Sequence, residues 1–306
     1  MMEPMRRDGE TWRVDGRPLK VHHLDKVFWP EDGFTKGDLL AYYRRMSRRL
    51  MPWLRDRPLT LRVFPDGIHG FSYYRRDLPD HAPDFLRSVD YRAATRNRVL
   101  RLPLVDDAAG LLWLVDQGAI ELHLWSSRAP HLERPDVAVF DLDTGEDTPW
   151  ERMREAALRL RDALDEAGIA SRAKTSGGTG MHVYVGLAPR HDFDQVRAWV
   201  KSVAERLAEA WPDLVAVPHG RTHQGNRVLV DYAQNGIGRN TAAPWTVRAR
   251  PGAPVSMPLK WAEVEAGGFT PTDFTMETAP ERIARRRDPF AAVLEAAQEL
   301  PEPAAG

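Results

Sequence analysis

The segment VAVFDLD carries two carboxylates, Asp141 and Asp143, at the end of an apolar run. If the run is a strand, its period of two puts both acids on one face with Val139, while Phe140 and Leu142 point the other way into a core. Two carboxylates side by side repel unless something positive stands between them. A divalent cation with oxygen ligands does this, and Mg²⁺ or Mn²⁺ also keeps positions open for phosphate oxygens. Two-metal phosphoryl transfer, with ions about 3.5–4 Å apart, needs a further carboxylate. Asp231, ending the apolar run RVLV, offers one. The same Asp-x-Asp spacing recurs at Asp192 and Asp194, directly before the helical pattern VRAWVKSVAERLAEAW, where capping is the expected use. Residue physics alone therefore leaves both a metal site and an ordinary strand-end pair open at Asp141 and Asp143.

The neighbouring elements are readable. AKTSGGTGMHVYVGL predicts strand, glycine-rich turn and strand; Ser176-Gly177-Gly178-Thr179-Gly180 suits either a hairpin connector or an anion-binding concavity of exposed N–H groups. Thr11–Val14, Asp15-Gly16 and Pro18–His22 predict a hairpin. Thr35 and Asp38 predict a capping box opening a helix whose inner face is Leu39, Leu40, Tyr43, Met46 and Leu50. Its outer face carries Arg44, Arg45, Arg48 and Arg49, most simply a solvated face. Strands are expected at LTLRVF, GFSYYRR, NRVLRLPLV and IELHLW, with an exposed basic loop over Tyr91–Arg98. Helices are expected at PWERMREAALRLRDALDEAG, stopped at Gly168, from Phe193 to Trp211, and from Pro289 to Leu300. The alternation predicts a mixed α/β protein without internal repeats.

The chain has 306 residues, no cysteine and a net charge of −1, which excludes disulfides and thiolate chemistry. Residues 1–130 hold 22 Lys/Arg against 18 Asp/Glu, a net of +4, and the remainder is −5. A basic front beside an acidic back suits a phosphate-binding surface next to a metal site, and also suits ordinary scatter. No apolar run is long enough to span a bilayer and the N-terminus lacks a secretory signal, so no membrane role and a cytoplasmic, nucleoid-associated location are expected.

Several motifs in order, LDKVFWPEDGFTKGDL, LRDRPLTLRVFPDGI, FSYYRR, HAPDFL, ELHLW, VFDLD, TSGGTGMHVYV, VLVDYAQN and WTVRARP, resemble the polymerase domain of bacterial ligase D, in the archaeo-eukaryotic primase superfamily. The resemblance covers nearly the whole chain. It implies a primase-polymerase fold over residues 1–300, an α/β module packed against an RNA-recognition-fold-like catalytic module, with 301–306 as a tail. It implies metal binding by Asp141, Asp143 and Asp231, with Mn²⁺ or Mg²⁺ in a two-metal site and NTP or dNTP as substrate, ribonucleotides often being preferred. The triphosphate is expected at Ser176, Gly177 and Thr179, with His182, Arg248, Arg250 and Gln234. His123 and Arg62 match residues near the incoming nucleotide. Alternation in TVRARP predicts Arg248 and Arg250 on one strand face.

For DNA, the resemblance assigns Lys26 and Lys36 to a 5′-phosphate across a gap or broken end, and Tyr73 and Tyr74 to the template base, one of them stacking while the other is core. Arg221 falls in the family loop His219–Arg227. Related turns often read Ser-Gly-x-Lys-Gly; neutral Thr179 leaves the phosphate charge to the metals, Arg248 and backbone, so weaker nucleotide affinity is expected. The implied function is templated gap filling and 3′ extension in double-strand-break repair by end joining, with Ku and a separate DNA ligase as partners, since no Lys-x-Asp-Gly nucleophile occurs. A primase starting chains de novo, a metal-dependent nuclease and a DNA-binding scaffold are the alternatives.

Overall fold

The computed structural model describes residues 9–92, 98–145, 148–218, 225–284 and 288–301. Two sheets organise it. Six strands run in the order Val215–Ala216, Val228–Asp231, Val137–Thr144, Met181–Gly186, Arg172–Thr175, Pro258–Leu259, antiparallel except for the first pair. Four antiparallel strands form the other, in the order Thr241–Ala242, Ala119–Leu124, Leu59–Val63, Tyr73–Arg75.

The capping box is formed: the Thr35 side chain accepts from Asp38 N, and the Asp38 carboxylate accepts from Thr35 N, opening helix α1, Lys36–Leu54. Leu39, Leu40, Tyr43, Met46 and Leu50 are all buried beneath it, each large apolar side chain contributing about 2 kcal/mol. Helix α2, Ala108–Asp116, was not legible as a helix. Nearly every position in it is buried, so it lacks the one-sided apolar period that marks a helix in sequence. Helices α3, Trp150–Glu166, and α4, Phe193–Ala210, follow the expected spans closely. Asp192 caps α4 with a full capping box, as its position predicts.

Helices α3 and α4 cover one face of the six-stranded sheet, where Phe140 packs edge-on against Trp199 at 5.6 Å. The other face turns towards α1 and the second sheet. There the Tyr184 ring meets Trp53, and its hydroxyl bonds Thr241 Oγ1 at 2.7 Å. A single apolar core runs through both layers.

One expected element is shorter. The helix predicted over Pro289–Leu300 covers only Ala291–Glu295. The chain then pairs with strand backbone, Ala188 N donating to Gln298 O at 2.8 Å, while the Gln298 side chain bonds Ala170 and Gly186. Those sheet contacts win over the helical period of so short a segment. The basic loop predicted at Tyr91–Arg98 joins the strands Arg87–Arg92 and Val99–Leu104, and its residues 93–97 lie outside the described residues. Among the described residues no helix is long and apolar enough to cross a membrane.

Candidate active site

The acids lie on the face turned towards the second sheet. Asp141 is directly opposite Asp231 on one neighbouring strand and directly opposite His182 on the other, and His182 is opposite Lys174 on the next. Directly opposed residues share a face. Lys174, His182, Asp141 and Asp231 thus form a row across four strands, with Asp143 two residues along. Pairing with the Asp231 strand covers only residues 141–144 of the central strand. Beyond it the Asn235 side chain takes over, accepting from Val139 N at 2.9 Å and donating to Val139 O at 2.7 Å. This clamps the turn after Asp231, whose carboxylate also accepts from Ala233 N at 2.8 Å and Gln234 Nε2 at 3.2 Å.

The row is hydrogen-bonded in a defined sense. Ser256 Oγ donates to Thr175 O at 2.9 Å, so it accepts from Lys174 Nζ at 2.6 Å. Lys174 Nζ lies 2.9 Å from His182 Nδ1, and His182 Nε2 lies 3.1 Å from Asp141 Oδ1. A carboxylate cannot donate, so Nε2 carries the hydrogen and Nδ1 accepts from the lysine. Burial, followed by Lys174, lowers the imidazole to about 4, so the ring is neutral near pH 7. Burial, followed by Arg248, also depresses the Lys174 amine well below its ordinary range. Burial works to raise Asp141, but His182, Lys174 and Arg248 outweigh it and hold the carboxyl low.

Asp143 behaves oppositely. Partial desolvation and the like charges of Asp141 and Asp231 push it up to about 7. Its side chain is open to water, so the like-charge repulsion is the cause that a cation would relieve. Among the described residues no three His, Cys, Asp or Glu side chains close into a ready-made cage. Mg²⁺ and Mn²⁺ bind through one or two carboxylates while keeping water and phosphate ligands. Three oxygen donors that repel one another without a cation are a fitting set for such an ion.

The glycine-rich turn sits beside the acids. Ser176 Oγ accepts from both Gly178 N and Gly180 N at 3.1 Å. Gly177 has φ +70°, and a Cβ there would meet Arg248 Cγ at 2.6 Å, so only glycine fits. Thr179 is exposed at the tip. Arg248 Nη1 donates to Ser176 O at 2.6 Å, and a Cβ on Gly178 would lie 3.4 Å from Arg250 Cζ. The strand alternation expected for Arg248 and Arg250 is not what brings them together. Residues 248–253 form a bend, with Arg250 N bonded to Arg248 O and Ala253 N to Arg250 O, so both arginines converge on the turn from a tight loop.

His123 and Arg62 lie across from the acids on the second sheet. Both approach Glu121, which is 1% exposed: His123 Nε2 at 2.9 Å and Arg62 Nη1 at 3.5 Å. Glu121 stands inside ELHLW, but nothing in the pattern singles it out from the strand. Nothing in the pattern marks Lys174 either: a lysine within a strand ordinarily reads as surface.

Tyr74 is 56% exposed, edge-on to His123 and beneath the Arg62 guanidinium. Tyr73 is half-buried rather than core; it stacks on exposed Phe71 at 5.7 Å and accepts a hydrogen bond from Arg75. The short strand lies at the sheet edge, leaving both faces partly open.

Lys26 and Lys36 are neighbours through the bond from Lys36 N to Lys26 O, 2.8 Å, but their ammonium groups differ. Lys26 Nζ is at the surface, bonded to Pro65 O and Asp66 Oδ1. Lys36 Nζ is buried, 2.7 Å from both Asp116 Oδ1 and His22 O. Arg221 lies outside the described residues. A groove of about 820 Å³ between α3 and α4, lined by Trp199, Val203, Leu207 and Trp211, contains none of the site's residues.

The family model of the LigD primase-polymerase domain matches residues 35–290. The chain belongs to that family. It is 32% identical over 248 residues to the multifunctional non-homologous end joining protein LigD of Pseudomonas aeruginosa, covering 81% of this chain and 29% of the relative. It is 30% identical over 273 residues to the bifunctional LigD of Bacillus subtilis, covering 89% of this chain and 43% of the relative. The chain thus spans less than half the length of these curated relatives. The polymerase domain of Mycobacterium tuberculosis ligase D, solved in complex with DNA, superposes with a TM-score of 0.85 at 28% identity, covering 92% of this chain and 99% of that one. The mixed α/β fold is therefore that of the LigD polymerase domain, a nucleotidyltransferase of the primase-polymerase kind.

Proposed function

We propose that this domain extends DNA 3′ ends and fills gaps under template direction during end joining, with residues 1–300 acting as one catalytic unit. The observation that carries the reading is the three-carboxylate row facing a glycine-rich turn backed by Arg248. Asp141, Asp143 and Asp231 would hold Mn²⁺ or Mg²⁺, which supplies activation of the 3′-hydroxyl and charge neutralisation at the phosphates. The chain's own residues bind and orient. Beside the turn, whose Gly178 and Gly180 N–H groups are held by Ser176 Oγ, Arg248, with Nη1 on Ser176 O, presents its remaining N–H groups to the triphosphate. His182 donates Nε2–H to Asp141 and so fixes the carboxylate's orientation. Tyr74 and Arg62 supply a stacking and cationic surface suited to a base.

DNA as partner is supported by the solved polymerase domain in complex with DNA, and the end-joining role by the names of the relatives. Within the same reading Lys26, exposed and close to Lys36, reads a 5′-phosphate, while Ku and a separate DNA ligase complete the repair. The test is primer extension on a gapped duplex with either a 5′-phosphate or a 5′-hydroxyl, in wild type and Asp141→Ala. Extension by wild type, stimulation by the phosphate and loss in the variant are expected. Extension by Asp141→Ala at the wild-type rate would overturn the metal assignment.

A further inference from the structure

Three residues around the proposed nucleotide pocket, Arg62, His123 and Arg248, come from different strands and a loop, yet all converge on one buried carboxylate. Glu121 Oε2 lies 2.9 Å from His123 Nε2 and 3.3 Å from Arg248 Nε. Its Oε1 accepts from Ala249 N at 3.0 Å and lies 3.5 Å from Arg62 Nη1. An uncompensated buried carboxylate is costly, so this one binds its cations as strongly as they bind it. Burial works to raise it, but His123 and Arg248 prevail and hold it at about 2, ionised at any working pH.

We propose that Glu121 is a positioning residue for nucleotide binding: it sets the orientation of Arg248 and the tautomer of His123 before the triphosphate arrives. This rests on the reading of the site as a polymerase nucleotide pocket. Arg248 is hydrogen-bonded through Nη1 to Ser176 O and ion-paired with Glu121, its Nε lying 3.3 Å from Oε2 without a hydrogen bond, so charge attraction draws the guanidinium towards one side of the pocket. Pinning the donors in advance removes the ordering cost from the binding step. The backbone bond from Ala249 N anchors the bend that carries Arg248 and Arg250 to the same carboxylate. His123 is fixed as firmly. An ionised carboxylate only accepts, so His123 Nε2 must carry a hydrogen, leaving Nδ1 as the acceptor side of the ring. The ring lies edge-on to Tyr74, where the base of the incoming nucleotide or template would stack.

The substitution Glu121→Gln separates this from a merely structural role. Its amide oxygen can still serve Ala249 N, but its NH₂ then faces His123 Nε2, a donor in the native site, and its neutral amide no longer balances the Arg248 guanidinium. His123 is expected to switch to the Nδ1–H tautomer, and Arg248 to lose its ion pair. The expected readout is a KM for a ribonucleoside triphosphate with manganese raised about tenfold, with kcat changed less than about threefold and primer-template affinity unchanged. In an Arg248→Lys background the same substitution should cost much less, because the guanidinium paired with Glu121 is already gone. An unchanged KM, or equal effects in both backgrounds, overturns the proposal. A second measurement leaves the chain unaltered: ¹⁵N shifts of the wild-type imidazoles at about pH 7.5 must place a hydrogen on His123 Nε2, and an Nδ1–H tautomer overturns the proposal. Absence of any templated extension by wild type would instead defeat the polymerase reading, whereas nucleotide affinity measured directly by calorimetry would still judge Glu121.

Discussion

Gly180 ends the glycine-rich turn at the point where it touches the acid strand, and Gly180→Ala tests how tightly turn and carboxylates are coupled. A Cβ at Gly180 would stand 2.2 Å from Leu142 O and 3.3 Å from Asp143 Oδ1. An ordinary carbon–oxygen contact is about 3.3 Å, so the backbone must separate by roughly 1 Å. The severe contact, with Leu142 O, is backbone against backbone. Leu142 is locked between its strand neighbours, and Gly180 is held by Ser176 N on its carbonyl at 2.9 Å and Ser176 Oγ on its N–H at 3.1 Å. Any relief therefore moves either the triphosphate-facing turn or the segment between Asp141 and Asp143. A misplacement of about 1 Å among reacting groups costs on the order of 100-fold in rate, or about 2.7 kcal/mol of barrier. Overpacking adds about 1–3 kcal/mol of destabilisation. The control is Gly178→Ala, whose Cβ would meet only side-chain atoms, Ser176 Oγ at 3.3 Å and Arg250 Cζ at 3.4 Å. In single-turnover primer extension, Gly180→Ala is expected to lose about 100-fold in rate, and Gly178→Ala less than about fivefold. A Gly180→Ala protein that melts and extends like wild type would refute the claim that close backbone approach positions the acids.

Other outcomes follow from the charges. A folded-state carboxyl at about 7 holds a proton that the unfolded chain releases near pH 4, so metal-free protein should lose stability as pH rises through that window. Melting in chelator should fall from about pH 5 to pH 8 more steeply for wild type than for Asp143→Asn, and manganese should restore wild type more than the variant; identical profiles would contradict the like-charge account. Lys174→Met removes the donor to His182 Nδ1 and should weaken metal affinity or activity about 10- to 100-fold; an unchanged manganese titration would sink this relay. Lys36→Ala strips a cation from buried Asp116 and should cost about 3 kcal/mol, whereas Lys26→Ala should leave stability alone and abolish any preference for a 5′-phosphate. Equal melting of the two variants would argue against the buried pair.

Much of this was written locally. The Thr35–Asp38 box, the inward face of α1, the capping of α4 at Asp192 and the opposed faces of the acid strand all depend on neighbours within a turn or a pleat, so composition and spacing determine them. The three aspartates were legible as candidates because each closes an apolar strand. Their mutual register was not: that Asp141 faces Asp231 on one side and His182 on the other is a matter of strand order, and 49 residues separate 182 from 231 in the chain. The bend carrying Arg248 and Arg250 read as a strand because alternation cannot distinguish the two when the deciding bonds lie within the loop itself. Glu121 and Lys174 were invisible for a deeper reason. A buried charge is tolerable only where distant partners meet it, so its meaning resides in Arg62, His123 and Arg248 for the one, and in His182 and Ser256 for the other. The sequence alone determined that Asp141 and Asp143 share one face of their strand and that Asp231 closes another. Only the tertiary structure decided which charges share a low-dielectric space, because desolvation and Coulomb attraction act through space and are indifferent to chain distance.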